Sequence, residues 1–144
     1  MKALPGLLLA TALALSTANT ASAYSWSSSK TSVKLRGTLT FTPNEGGKPF
    51  KCLVVMDLKT KRSLITAVKF PKNCDTVFTG LPWNVDILTE NSGGFAGGSF
   101  ASGHGDCVTG STEFQVNGSG IWTLPSGQCL SGTMRSEPPV TIAP

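Results

Sequence analysis

Few residues in this sequence have the side-chain chemistry that catalysis needs. His104 is the only histidine, and histidine is the residue type that most readily exchanges protons near neutral pH. Asp106 follows two residues later, so a carboxylate could orient the imidazole ring. The chain has no Gly-x-Ser-x-Gly turn or equivalent to supply a nucleophile. We therefore predict that His104 is a solvated loop residue, that the protein is not an enzyme, and that it uses no cofactor.

The four cysteines have a spacing that indicates disulfide bonds. Cys52, Cys74, Cys107 and Cys129 follow one another at intervals of 22, 33 and 22 residues, whereas zinc ligands typically pair about two to four residues apart. An even number of cysteines in an exported chain predicts two disulfides and no metal site.

Sequence alone leaves several disulfide connectivities open. The residues after Cys107 (Val-Thr-Gly-Ser) resemble those after Cys129 (Leu-Ser-Gly-Thr), as expected of two neighbouring strands in equivalent positions. This local similarity favours pairing Cys52 with Cys74 and Cys107 with Cys129, and each pair would close a loop of similar length.

The start of the chain has the pattern of a secretion signal. Lys2 precedes a short apolar run at residues 7–15, and residues 21–23 (Ala-Ser-Ala) form a small-x-small cleavage site. The run is too short to span a bilayer. We expect a cleaved signal peptide at residues 1–23, a single mature domain at 24–144, no transmembrane anchor, and a secreted or periplasmic product.

Charge is distributed unevenly along the mature sequence. Residues 24–74 have ten Lys and Arg against two acidic residues, a net charge of +8, whereas residues 75–144 have a net charge of −5. Such asymmetry is found in proteins with an anionic partner and in chains that associate head to tail. The simpler expectation is that strands of the two halves interleave and their charges offset. The mature net charge of +3 is modest, and we expect no nucleic-acid partner.

Period-two patterning dominates the sequence, which predicts an all-β fold. In residues 32–42, apolar side chains alternate with lysine, arginine and threonine, and Gly37 is a candidate bulge. Trp83 is the first choice for a core aromatic residue. The remaining predicted strands are 50–58, 63–70, 75–81, 83–88, 114–116, 121–124, 130–135 and 140–142. These short strands predict a single antiparallel β-sandwich or barrel-like domain.

Two further groups of residues are candidates for binding. In the glycine-rich segment 92–105, Phe95 and Phe100 are the large apolar side chains, and we predict that they contact an apolar surface or another subunit. Lys59, Lys61 and Arg62 form the densest basic cluster, at a predicted hairpin tip, where an anionic envelope component could reach them. The simpler expectation for these three side chains is a solvated turn.

The sequence resembles a known family in its second half. The resemblance rests on residues 80–83 (Gly-Leu-Pro-Trp), 107–110 (Cys-Val-Thr-Gly), Trp122 and residues 129–133 (Cys-Leu-Ser-Gly-Thr), and it covers about residue 50 to the C-terminus. These residues resemble the PraB-like family, whose members are called activators of alkane oxidation. The resemblance implies a small exported bacterial protein at the cell surface or outside the cell, linked to growth on hydrocarbons and to biofilm. It brings no catalytic residues with it.

Three functions are compatible with these features. The first is a non-enzymatic exported protein that associates with hydrocarbon, with the cell envelope or with copies of itself. The second is a periplasmic β module that binds a small ligand in a cleft or barrel mouth. The third is a small disulfide-bonded inhibitor of secreted enzymes, with the segment 92–105 as its exposed inhibitory loop.

Overall fold

Strands with alternating burial make up most of the domain. The computed structural model describes residues 24–144, and the predicted signal peptide at 1–23 lies outside the described residues. Along Ser32–Phe41, for example, apolar side chains are buried and the lysine and arginine between them are exposed. The strands of the described chain are β1 (Ser25–Ser27), β2 (Ser32–Phe41), β3 (Phe50–Lys59), β4 (Leu64–Lys69), β5 (Thr76–Phe78), β6 (Trp83–Thr89), β7 (Ser92–Phe95), β8 (Phe100–Ser102), β9 (Thr112–Val116), β10 (Ile121–Leu124), β11 (Leu130–Glu137) and β12 (Thr141–Ala143).

Eight of these strands close into an antiparallel barrel. Their order around the barrel is β10, β11, β2, β3, β4, β6, β7 and β9, and pairing of β9 with β10 completes the ring. Strands β5 and β8 leave the barrel and pair with each other, and β1 pairs with β12. The all-β prediction is confirmed, and the architecture is the barrel rather than the sandwich. No helix within residues 24–144 is long and apolar enough to cross a membrane.

Large aromatic side chains fill the barrel interior. Trp83, Phe95, Phe114 and Trp122 are each at most 1% exposed, so Trp83 is the core residue that the sequence predicted. The ring centroids of Phe114 and Trp122 lie 4.5 Å apart, and those of Phe95 and Phe114 lie 5.3 Å apart. Because the rings pack against one another along the interior, the barrel is a packed core and not a container.

Most predicted strands are present, but β1, β7 and β8 were not among the predicted strands, and Gly37 is not the bulge that was predicted. The short strand β1 was not predicted, because its three residues, Ser25–Ser27, have only Trp26 as an apolar signal. Gly37 was predicted as a bulge, but β2 pairs continuously with β3 there. Register shifts lie instead between Asp57 and Leu58 in the pairing of β3 with β4, and between Ile87 and Thr89 in the pairing of β6 with β7. Gly37 faces inward, where a Cβ would lie 2.1 Å from the Thr133 carbonyl oxygen.

Both predicted disulfides are present. Cys52 bonds Cys74 across a Cα–Cα distance of 6.1 Å, and Cys107 bonds Cys129 across 6.0 Å. The first links β3 to the connection before β5, and the second links the segment after β8 to the start of β11. The two disulfides therefore attach the β5–β8 sheet to the barrel at two points.

The charged halves of the sequence do not interleave. Strands β2, β3 and β4 from the basic half are direct neighbours, and the barrel strands of the acidic half form the rest of the ring. The expectation that interleaved strands would offset the two charges is therefore wrong. Hairpin connections keep β2, β3 and β4 adjacent, so one side of the barrel is rich in lysine and arginine.

Candidate functional site

The structure places Phe95 and Phe100 in the core. Their exposed fractions are 1% and 2%, so the prediction that they form a contact surface is wrong. Phe95 faces the barrel interior, and Phe100 packs against the rings of Phe41 and Phe50 at centroid distances of 5.1 and 5.9 Å. Phe41 ends β2 and Phe50 begins β3, so Phe100 closes that end of the barrel.

The glycine-rich segment is a tightly packed part of the fold. Residues 92–105 contain the strands β7 and β8. A Cβ on Gly97 would lie 2.4 to 2.6 Å from atoms of the Trp83 indole, and one on Gly93 would lie 2.2 Å from the Asp86 carbonyl oxygen. The glycines therefore allow close approach to neighbouring groups. Most of this segment is therefore not the exposed loop that the enzyme-inhibitor alternative requires.

His104 is exposed, as predicted, at the edge of this segment. Its ring lies against Phe50, with a centroid distance of 4.6 Å. The Asp106 carboxylate accepts a hydrogen bond from the Ser102 backbone N–H at 3.1 Å. Asp106 therefore orders the turn after β8 in this arrangement.

The predicted basic cluster lies at the turn between β3 and β4. Lys61 and Arg62 are exposed, whereas Lys59 is half-buried and donates a hydrogen bond to the Ser32 hydroxyl at 3.2 Å. Thr60 donates a hydrogen bond to the Lys30 carbonyl oxygen at 2.7 Å, which ties the turn to the segment before β2. The turn thus presents two cations to solvent on an ordered backbone.

A second basic region, which the sequence did not single out, borders a groove on the outside of the barrel. This lateral groove has a volume of about 660 Å³. It crosses the outer face of β2, β3 and β4 and reaches the end of β11. Its lining residues are Lys34, Arg36, Val55, Lys69, Phe70, Pro71 and Glu137.

The register of the strands places a row of cations across this groove. Val55 on β3 lies directly between Arg36 on β2 and Lys69 on β4. Arg36 in turn lies opposite Arg135 on β11. Directly opposed side chains on neighbouring strands have Cβ atoms only about 5 Å apart, and like charges at that spacing repel. We call Arg36, Lys69 and Arg135 the cationic row.

The carboxylates near the groove belong to the next row along the strands. Lys34 lies between Asp57 and Glu137, and it forms an ion pair with Asp57. That pair is the one salt bridge among residues 24–144, so no carboxylate in this part of the chain lies within 4 Å of the cationic row. Lys34 is therefore neutralised by a direct ion pair, whereas the three side chains of the cationic row form none.

The groove floor is apolar and rigidly supported. Val55 points outward because its neighbours Val54 and Met56 are fully buried in the barrel. The Phe70 ring packs on Phe78 at a centroid distance of 5.5 Å and on Phe41 at 6.1 Å. Pro71 restricts the backbone immediately after Phe70. The groove therefore presents a fixed apolar surface beside unpaired cations.

The chain matches one protein-family model, described as alkane oxidation protein activator PraA/PraB-like, over residues 1–144. The match includes the first half of the chain, which the resemblance in the sequence had not covered. No curated protein and no solved structure matches the sequence.

Proposed function

Because the chain belongs to the alkane oxidation protein activator PraA/PraB-like family, we propose that it is an exported, non-enzymatic accessory protein of alkane use. It acts by associating with the hydrocarbon–water interface or the cell surface. The observation that carries this proposal is the lateral groove, which combines an apolar floor with cations on the outer face of the barrel. A surface of this composition suits a boundary between an apolar phase and water.

The filled interior of the barrel supports the proposal that the protein acts through the outer face of the barrel. Trp83 and Trp122 occupy the interior at 1% and 0% exposure, and a hydrocarbon chain would have to displace such rings to enter. Emptying a well-packed aromatic site typically destabilises a protein by about 3–5 kcal/mol. Val55 and Phe70, in contrast, are already partly exposed in the groove.

The disulfides support export. Two disulfide bonds in a chain of this size are typical of an oxidising compartment. The predicted signal peptide agrees with this compartment, and we propose that the mature protein is secreted or periplasmic. Fractionation of a culture, with the N-terminus of the recovered protein determined by mass spectrometry, tests this part of the proposal; a product retained in the cytoplasm would contradict it.

Growth on an alkane tests the function in the cell. In a strain that lacks the gene, we expect the wild-type chain to restore growth on hexadecane and the Val55→Glu variant to fail, because a carboxylate would replace the centre of the apolar floor. The matched control is Val108→Glu, which makes the same change at a valine that is 64% exposed outside the groove. Equal growth with both variants would contradict a role for the groove.

A further inference from the structure

We infer that the lateral groove binds a single-chain alkyl carboxylate, the anion of a fatty acid. The inference deepens the proposed function, on which it rests for its biological setting, by naming a ligand for the same site. It is carried by the juxtaposition of the cationic row with the apolar floor formed by Val55, Phe70 and Pro71.

The cationic row favours the binding of a negatively charged group. Arg36 and Arg135 lie directly opposite each other without a carboxylate within 4 Å among the described residues. An anion placed beside Arg36 would offset this repulsion. The guanidinium group also presents donors whose spacing matches the two oxygens of a carboxylate. Lys69, across Val55 from Arg36, is placed to approach the same anion from the other side.

The neighbouring row restricts the anion to a small headgroup. Asp57 and Glu137 lie one row along the strands from Arg36, and they would repel an extended polyanion that covered both rows. A single negative charge bound at the cationic row would not lie directly beside Asp57 or Glu137. An acidic protein or a polysaccharide with repeated charges fits this arrangement less well than a monovalent anion.

The floor requires an apolar chain attached to that headgroup. The side chain of Val55 lies within the cationic row, and Phe70 and Pro71 extend the apolar surface beside Lys69. A volume of about 660 Å³ falls within the range of about 300–1,000 Å³ that is usual for small-ligand sites. Terminal oxidation of an alkane leads, through the alcohol, to a carboxylate of the same chain, so the ligand class is a product of the chemistry that the family name describes.

The direct test is calorimetric titration of the exported, disulfide-bonded protein with dodecanoate below its micelle concentration. We expect saturable binding that weakens as salt is added, because the ion pairing is near the surface. Dodecanol has the chain without the charge and acetate has the charge without the chain, and both should bind at least about tenfold more weakly, a difference that requires only about 1.4 kcal/mol. Equal binding of dodecanol would overturn the role of the cationic row.

Two variants assign the binding to the groove. Val55→Glu places a carboxylate opposite both Arg36 and Lys69, where opposite charges on neighbouring strands stabilise a sheet. We expect this variant to melt no lower than the wild type and yet to lose dodecanoate binding. Arg36→Gln should weaken binding by about tenfold, the effect of one charge-assisted contact.

Two control variants make the same substitutions at residues outside the lateral groove. Val108→Glu repeats the valine change, and Arg62→Gln repeats the arginine change at the β3–β4 turn; both should bind dodecanoate as the wild type does. Loss of binding with Arg62→Gln and not with Arg36→Gln would overturn the inference and move the anion site to the turn. Binding to phosphatidylglycerol vesicles without binding to dodecanoate would also overturn it, in favour of a membrane surface.

Failure of this inference differs from failure of the proposed function. If dodecanoate does not bind but growth on hexadecane still depends on Val55, the ligand assignment is wrong and the proposed function stands. If dodecanoate binds in an Arg36-dependent manner but the gene has no effect on growth with hexadecane, the ligand site stands and the proposed function is wrong.

Discussion

At the scale of residues, the smallest side chains determine where the largest ones lie. Gly97 lies against the face of the Trp83 indole, and Trp83 donates a hydrogen bond from Nε1 to the Thr79 carbonyl oxygen at 3.0 Å. The Gly97 carbonyl oxygen accepts a hydrogen bond from the buried Thr112 hydroxyl at 2.9 Å. The glycine-rich segment thus supports the aromatic core from one side.

This packing predicts that alanine substitutions at two glycines differ in their effect on the stability of the protein. We expect Gly97→Ala to lower the free energy of unfolding by about 1–3 kcal/mol, because the added methyl group overpacks the Trp83 site. Gly110→Ala is the control, since a Cβ there meets nothing within 4 Å, and it should change stability by less than about 0.5 kcal/mol. Denaturant titration measures the stability of both variants. Equal stability would show that the segment shifts to accommodate the methyl group at residue 97 without cost.

The sequence predicted the burial of one of these aromatic residues correctly and missed the burial of two others. Trp83 lies in an alternating apolar strand, so its burial followed from periodicity alone. Phe95 and Phe100 are flanked by glycines and small residues that give no apolar alternation, so their burial could not be read from the local pattern. Their partners, Phe114 and Phe41, lie on other strands, beyond the reach of a local pattern.

At the scale of elements, the disulfides hold the short β5–β8 sheet to the barrel. This sheet has three residues in each strand, which is too few for a two-stranded sheet to be stable alone. Phe78 and Phe100 pack on the end of the barrel beneath it. The covalent links and these aromatic contacts keep the sheet in place.

Removal of one disulfide should therefore destabilise the protein without changing its fold. Each bond joins cysteines 22 residues apart, and on the chain-entropy model a loop of this length contributes about 3 kcal/mol. We expect Cys107→Ser with Cys129→Ser, and separately Cys52→Ser with Cys74→Ser, to lose about that much in denaturant titrations at a retained far-ultraviolet spectrum. A loss below about 1 kcal/mol in both would show that the disulfides do not hold the β5–β8 sheet to the barrel.

The sequence predicted most strands but not the groove that they form. Arg36 lies in a predicted strand whose alternation shows its outward face, whereas Val55 lies in the continuous apolar run 52–56, where the sequence shows no alternation. Arg36 lies between Arg135 and Val55 because of the register of β2 with β11 on one side and with β3 on the other. The pairing of β2 with β11 joins residues about a hundred positions apart in the chain. Local periodicity gives the face on which a residue lies but not its neighbour across the sheet.

At the scale of the whole molecule, the chain order separates charge around the barrel. Strands β2, β3 and β4 follow one another by hairpins, so the basic residues of the first half remain on one side. A protein with this distribution meets an anionic interface in a preferred orientation. In that orientation the lateral groove, which crosses the same three strands, faces the interface.

Adsorption to a hexadecane–water interface, followed as interfacial tension on a pendant drop, tests most directly whether the protein acts through the lateral groove. We predict that the wild type and Val108→Glu lower the tension at similar protein concentrations, and that Val55→Glu needs about tenfold more protein, equivalent to about 1.4 kcal/mol of adsorption free energy. Both variants add one negative charge, so net charge does not distinguish them. If Val55→Glu adsorbs as the wild type does while remaining folded, the lateral groove is not the surface through which the protein acts.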